Sequence, residues 1–352
     1  MSWVRRARVL LVLIAAAAAV ALPPMETAAR SKRAPIAYEP SPPPPPPMAP
    51  VGLSDRLLAD ASAYQAYLQR VMAISPAFTS GQSVAQALRT GAAYEPAALL
   101  RGAVAYAAVA ALQDGAFVAQ VRSFGADADA RRLMVNRIIA DPNYVFAFKG
   151  ADGAAGLVKE ALGGAALRLY GAGKAVKQSA YDVQHQAWSK ETIVDRPGRL
   201  AQVKAASESG VAGDADGAII LQRAAMGLAP LNLSASPAPA PYTPLLAHAL
   251  QLAALAALGE ASDAAYDRLT YLTTEVNADM CLRMAKLNLN ECLAVAGPHY
   301  EDIFCIGQHI MMDTGACLAK NIGVGIPLEV TPAPLHVPAL RKGATSRARR
   351  RR

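Results

Sequence analysis

From Leu53 onward, apolar residues return every three or four positions, the period of helices that bury one side. In LSDRLLADASAYQAYLQRVM, Leu57, Leu58, Ala61, Tyr64, Leu68, Val71 and Met72 fall at helical spacing, Ser54 stands at the N-cap position, and Ser75-Pro76 ends the run. Ser83 with Gln86 predicts a capping box at the start of SVAQALRTG. Pro96 suits the first turn of PAALLRGAVAYAAVAALQ, and GAFVAQVRSF and ADARRLMVNRIIA continue the pattern. After Asp141-Pro142, the stretch GLVKEALGGAALRLYGAGKAVKQSAYDVQHQAWSK reads as a helix pair or one long interrupted helix. Pro244 opens LLAHALQLAALAAL, and a further helix is expected over 263–272. The fold expected is all-α, a multi-helix bundle or array. The two most apolar stretches, 97–112 and 244–258, are shorter than the roughly 18 residues of a membrane span and carry Arg101 and His248, so they read as core helices.

Two proline-rich segments interrupt this pattern. SPPPPPPMAP, at 41–50, imposes an extended polyproline spacer, read as a tether, with a ligand for a proline-binding module as the other reading. SASPAPAPYTP is the second connector and marks the best domain or subdomain boundary. The organisation expected is an export signal over 1–29, a linker over 30–52, a helical domain over 53–233, a connector over 234–243, a helical subdomain over 244–326 and a disordered basic tail over 327–352.

Composition fits helices, since hydrophobic residues make up 53% with an alanine excess and aromatics only 6%. The net charge of +8 suggests nucleic acid until it is located. Basic residues crowd the two ends, whereas residues 51–340 hold 22 basic and 25 acidic side chains, so no specific nucleic-acid face is expected. The start resembles an export signal, with Arg5, Arg6 and Arg8 before an apolar run from Val9 to Leu22 and an Ala19-Val20-Ala21 cleavage pattern; an uncleaved anchor is the alternative. The mature chain is therefore expected in the periplasm or outside the cell, where disulfides are the usual fate of cysteine. The closing RARRRR offers contact with an anionic membrane surface.

All four cysteines lie between Cys281 and Cys317, at intervals of 11, 13 and 12. Neighbours 11 apart on one helix share a face but sit about 16 Å apart, far beyond the roughly 4.4–6.8 Å that a disulfide needs between Cα atoms. Gly297-Pro298 between the inner pair predicts a helical turn. Across an antiparallel hairpin, opposed residue numbers share a nearly constant sum. Cys281 with Cys317 gives 598 and Cys292 with Cys305 gives 597, while the crossed pairing gives 586 and 609. Nested bonds Cys281–Cys317 and Cys292–Cys305 follow. Cys305 and Cys317, 12 apart, are out of phase by about 120° on an ideal helix, so the second arm is expected to loosen at Gly315 or to end there. Zinc is the rival fate, but no C-x-x-C occurs.

The hairpin is similar to the twin-cysteine hairpins of coiled-coil-helix-coiled-coil-helix proteins, over about 40 residues, with longer intervals here; this implies shared geometry. Across 51–323, SDRLLADASAYQAYLQR, QALRTGAAYEP, YDVQHQAWSK and KLNLNECLAVAGPHYEDIFCIGQH resemble exported proteins of alphaproteobacteria to which no activity is assigned. That resemblance implies export and a bacterial origin and adds no site residues.

Candidate chemistry is sparse. Tyr181, His185 and Trp188 fall on one helical face with Asp182 three residues before His185, a proton-transfer pair or the stripe of a core helix. His309 and Asp313 are spaced i, i+4, with His299 or Glu301 as further metal donors, but no HExxH accompanies them. YGAGKAV fails as a phosphate loop because Arg168 and Ala175 replace required residues. No cofactor is expected. The function expected is an exported, non-catalytic cell-envelope scaffold or accessory factor with an envelope protein partner. The alternative is a periplasmic hydrolase of envelope polymer using His185 with Asp182 or with carboxylates that no motif singles out.

Overall fold

Local start signals decide most helix boundaries. In the computed structural model, which describes residues 49–327, Ser54 accepts the Leu57 amide at 3.2 Å and opens α1 (Asp55–Met72). The next helix, α2 (Gly81–Ala92), begins earlier than expected, because Ser80 is its cap. Ser80 and Ser83 exchange side-chain hydrogen bonds to each other's amides at 3.3 and 3.4 Å, so Ser83 is the inner partner of the box and Gln86 instead accepts from Arg89. Glu95 holds the Ala97 and Ala98 amides and starts α3 (Pro96–Ala111). Asp114 and Asp127 do the same for α4 (Gly115–Phe124) and α5 (Ala128–Ala140). The export signal at 1–29, the linker up to residue 48 and the basic tail from 328 lie outside the described residues.

The long glycine-containing stretch folds as one interrupted helix. α6 (Ala151–Val158) passes through a π-helical turn at Lys159–Gly164 into α7 (Ala165–Val183). Then come the short α8 (Ala187–Lys190), α9 (Arg196–Ser209), α10 (Ala215–Ala225) and α11 (Pro244–Ala257). The helix expected over 263–272 is broken into two 3-10 turns flanking α12 (Tyr266–Leu269). The hairpin comprises α13 (Val276–Val295), α14 (His299–Cys305), a π-helical turn at Ile306–Met312, and α15 (Asp313–Asn321). Among the described residues there is no strand, so the all-α class stands.

At the centre, α3 packs against α1 and α11. Nearly every side chain of α3 and α11 is buried, many of them alanine, which lets the helix axes approach closely. The connector at 234–243 is a break in helix and not in packing, since Ala224 and Leu221 before it and Leu245 to Leu258 after it belong to one hydrophobic core. No single helix among the described residues is long and apolar enough to cross a membrane. The bent pair α3 and α4 passes a length-and-composition test together, but α3 is buried in this core.

Both nested disulfides are present, with Cα separations of 5.6 Å for Cys281–Cys317 and 5.9 Å for Cys292–Cys305. The phase mismatch on the second arm is absorbed upstream of Gly315, by the π-helical turn. A π turn closes i to i+5 instead of i to i+4 and so takes up one extra residue. Twelve residues then wind like eleven, and the misalignment of Cys305 and Cys317 falls from about 120° to about 20°. Gly315 does not end the arm; α15 runs through Cys317 to Asn321. Gly315 serves close packing instead, since a Cβ there would strike the Ala166 carbonyl and the Tyr170 backbone of α7. Gly173 on α7 and Gly307 on the hairpin meet in the same way, backbone to backbone.

Candidate functional site

The structure separates the residues expected to act together around 181–190. α7 ends at Val183, so His185 stands exposed on the following turn and Trp188 belongs to α8. The Asp182 carboxylate accepts from Gln178 at 3.0 Å and has no hydrogen bond to His185. One helical face does not carry Tyr181, His185 and Trp188.

His309 and Asp313 do meet, Nδ1 to Oδ2 at 2.7 Å. Asp313 also accepts from Gln308 at 2.8 Å, and Gln308 accepts from Lys177 of α7 at 2.8 Å. Burial pushes the Asp313 carboxyl up, but hydrogen bonds from His309, Gln308 and Asn288 and the charge of His309 hold it below its ordinary value. His299 packs instead against Gly81, and Glu301 accepts the Gly297 amide at 2.7 Å. Among the described residues no three His, Cys, Asp or Glu side chains converge as a metal site would require.

Two buried charges escaped the sequence reading. Arg199, on α9, donates to Asp302 at 2.5 Å and to the carbonyls of Leu293 and Ala296, the last at 3.2 Å, closing the C-terminal end of α13. Burial outweighs the guanidinium beside it and pushes Asp302 up to about 6. The signal was the phase of Arg199, four residues before Val203 on the buried side of α9. Lys286 sits likewise among Leu282, Ala285, Leu289 and Leu293. Its amine donates to the Ala92 carbonyl at the end of α2 (2.7 Å) and to Ser207 of α9 (3.0 Å), and lies 3.6 Å from the centre of the Tyr94 ring.

Burial lowers the Lys286 amine from 10.5 to about 7, with the Glu95 carboxylate opposing the shift. Between those two values the unfolded chain binds the extra proton, so stability rises with pH across that window and this dependence vanishes below about pH 7. The unfolding free energy from urea titrations should climb from pH 7 to pH 9, by up to about 1.4 kcal/mol per pH unit, the urea midpoint rising with it, and Lys286→Met should flatten both. A wild-type midpoint that stays level or falls over that window would contradict this.

An apolar cleft of about 290 Å³ lies at the turn of the hairpin. α7 contributes Ala180 and Tyr181, the turn after it Gln184, and the hairpin Val295, Tyr300 and Phe304. The inner disulfide, Cys292–Cys305, forms part of the lining, so the bond that closes the hairpin also shapes the cleft. Tyr181 meets Phe304 edge to face, centroids 6.3 Å apart, and the Lys177 ammonium lies 5.1 Å from the Phe304 ring centre. Glu301 is the one charged residue lining it, its carboxylate already turned to Gly297.

No protein-family model, curated protein or solved structure matches this chain. The cleft can desolvate one or two apolar side chains between aromatic walls. Its disulfides point to an oxidising, non-cytoplasmic setting, where such bonds form and persist.

Proposed function

We propose that this is an exported, non-catalytic helical protein of the bacterial cell envelope, a scaffold or accessory factor that binds a partner protein through the cleft at the hairpin turn. The observation that carries the reading is the cleft itself. Small-molecule pockets usually enclose about 300–1,000 Å³, so a site of about 290 Å³ lies at the bottom of that range. It suits an anchor side chain of a protein partner, the element that dominates interface energies. The aromatic walls favour a leucine, methionine or aromatic anchor. The envelope setting rests on the signal-like start of the chain and on the two disulfides. Of the hydrolase alternative, the pairing of His185 with Asp182 finds no support, since the Asp182 carboxylate accepts from Gln178.

A photo-crosslinking residue placed at Tyr181 in the exporting cell tests this. The expected result is a discrete adduct with an envelope protein, absent when the same residue replaces exposed Ile219 on α10 and lost when Ala180→Asp charges the cleft. Adducts common to both positions, or none at Tyr181, would refute the cleft as a docking site.

A further inference from the structure

On α13 the side facing away from the core is apolar. Val276, Met280, Met284, Leu287 and Val295 are between 46% and 77% exposed, and the exposed face is completed by Glu291, Arg283, Asn277 and Ala294. Positions 276, 280, 284, 287, 291 and 295 fall within about 100° of arc on a regular helix, forming one stripe along its length. Five large apolar residues at coiled-coil-like spacing over 20 residues of helix are an unusual load for a free surface.

The stripe has an internal symmetry. Val276 with Val295, Met280 with Glu291, and Met284 with Leu287 each sum to 571. A second α13 laid antiparallel about a two-fold axis near residues 285 and 286 therefore meets the stripe at every position, valine on valine at both ends and methionine on leucine in the middle. Two-fold interfaces require this self-complementarity, in which residue i contacts j and j contacts i.

The charges agree with the antiparallel arrangement. Arg283 comes within about 4.5 Å, along the axis, of Glu291 on the other copy, whereas like charges are separated by about 7.5 Å for the arginines and about 16.5 Å for the glutamates. A parallel pair would set Arg283 against Arg283 and Glu291 against Glu291 at the same level. Each Glu291 faces Met280 of the other copy, with Arg283 beside it, a side chain that also donates to Asp279 of its own helix at 2.6 Å.

We infer that the stripe on α13 is the seat of a second copy of this chain, forming an isologous antiparallel dimer. One helix face buries less than the roughly 1,200 Å² of a standard interface, so the association expected is weak and reversible. The inference is independent of the cleft reading: it uses α13 alone, although Val295 borders both surfaces.

Sedimentation equilibrium of the exported chain with both disulfides intact, from about 1 to about 500 μM, reads the association directly. A monomer–dimer equilibrium is expected. Met284→Glu places a carboxylate against Leu287 of the other copy and should weaken association at least about tenfold while leaving the thermal transition unchanged. Met280→Lys is the test of register. It sets an ammonium opposite Glu291 and should preserve or tighten the dimer, whereas an undirected apolar patch would lose affinity. Tyr181→Asp, in the cleft, should leave the dimer intact. A chain that remains monomeric throughout, or one that Met280→Lys weakens as much as Met284→Glu, overturns the inference.

Discussion

Replacing Cys281 and Cys317 together with alanine should lower the unfolding free energy by about 3.8 kcal/mol, and replacing Cys292 and Cys305 should lower it by about 2.9 kcal/mol. The order follows from loop size, since the outer bond closes 36 residues of chain and the inner one 13. Each bond restricts the unfolded chain, and the longer loop loses more conformations on closure. Urea unfolding of the oxidised double variants measures both losses. The outer bond also carries a packing role, because Cys317 is buried where α15 lies against α7 while Cys281 is half-buried. A greater loss from the inner pair than from the outer would contradict the loop argument and assign the stability to local packing at the cleft.

Asp302→Ala should cost about 3–5 kcal/mol, because it strands the Arg199 guanidinium in the interior. Both side chains are almost wholly buried, at 9% and 2% exposure. The double variant Arg199→Met, Asp302→Leu removes both charges and should recover part of the loss. Recovery stays incomplete, since the carbonyls of Leu293 and Ala296 lose their donor, at about 1 kcal/mol for each bond. A double-mutant cycle by urea denaturation separates these contributions. If Asp302→Ala costs less than about 1 kcal/mol, the carboxylate is not the partner on which the buried arginine depends.

These two features were unequally visible in the sequence. The disulfides were legible because the connectivity of an antiparallel hairpin is a matter of counting, and Gly297-Pro298 marks the turn. The helices α1, α3 and α11 were legible because Ser54, Pro96 and Pro244 stand at or beside their starts, ahead of periodic apolar runs. The start of α2 was misplaced because Ser80 and Ser83 are both competent caps and only the packed chain selects between them. The π-helical turn at Ile306–Met312 has no propensity signature. The 12-residue spacing of Cys305 and Cys317 demands a loosened arm, but only tertiary structure places the extra residue there, upstream of Gly315.

The candidate site was less legible than the fold. Charges on a buried helix face look like ordinary solvated charges until the neighbouring helices are placed, so Arg199 and Lys286 went unnoticed although their phase marked them. Tyr181 was noticed for the wrong companions: its partner is Phe304, far along the chain on the hairpin, and not His185. A stripe that continues past a helix end is an artefact of counting at 100° per residue beyond the last hydrogen-bonded turn, here at Val183.

The nesting of the two bonds gives the hairpin the connectivity of a ladder. A protease that cuts the backbone once, anywhere between Cys281 and Cys317, leaves every fragment covalently attached to the rest. Severing the turn at Gly297 would produce two polypeptides still riveted at both rungs, with the cleft wall at Cys292–Cys305 in place. Such a molecule survives damage that would dismantle an unbridged hairpin of the same sequence.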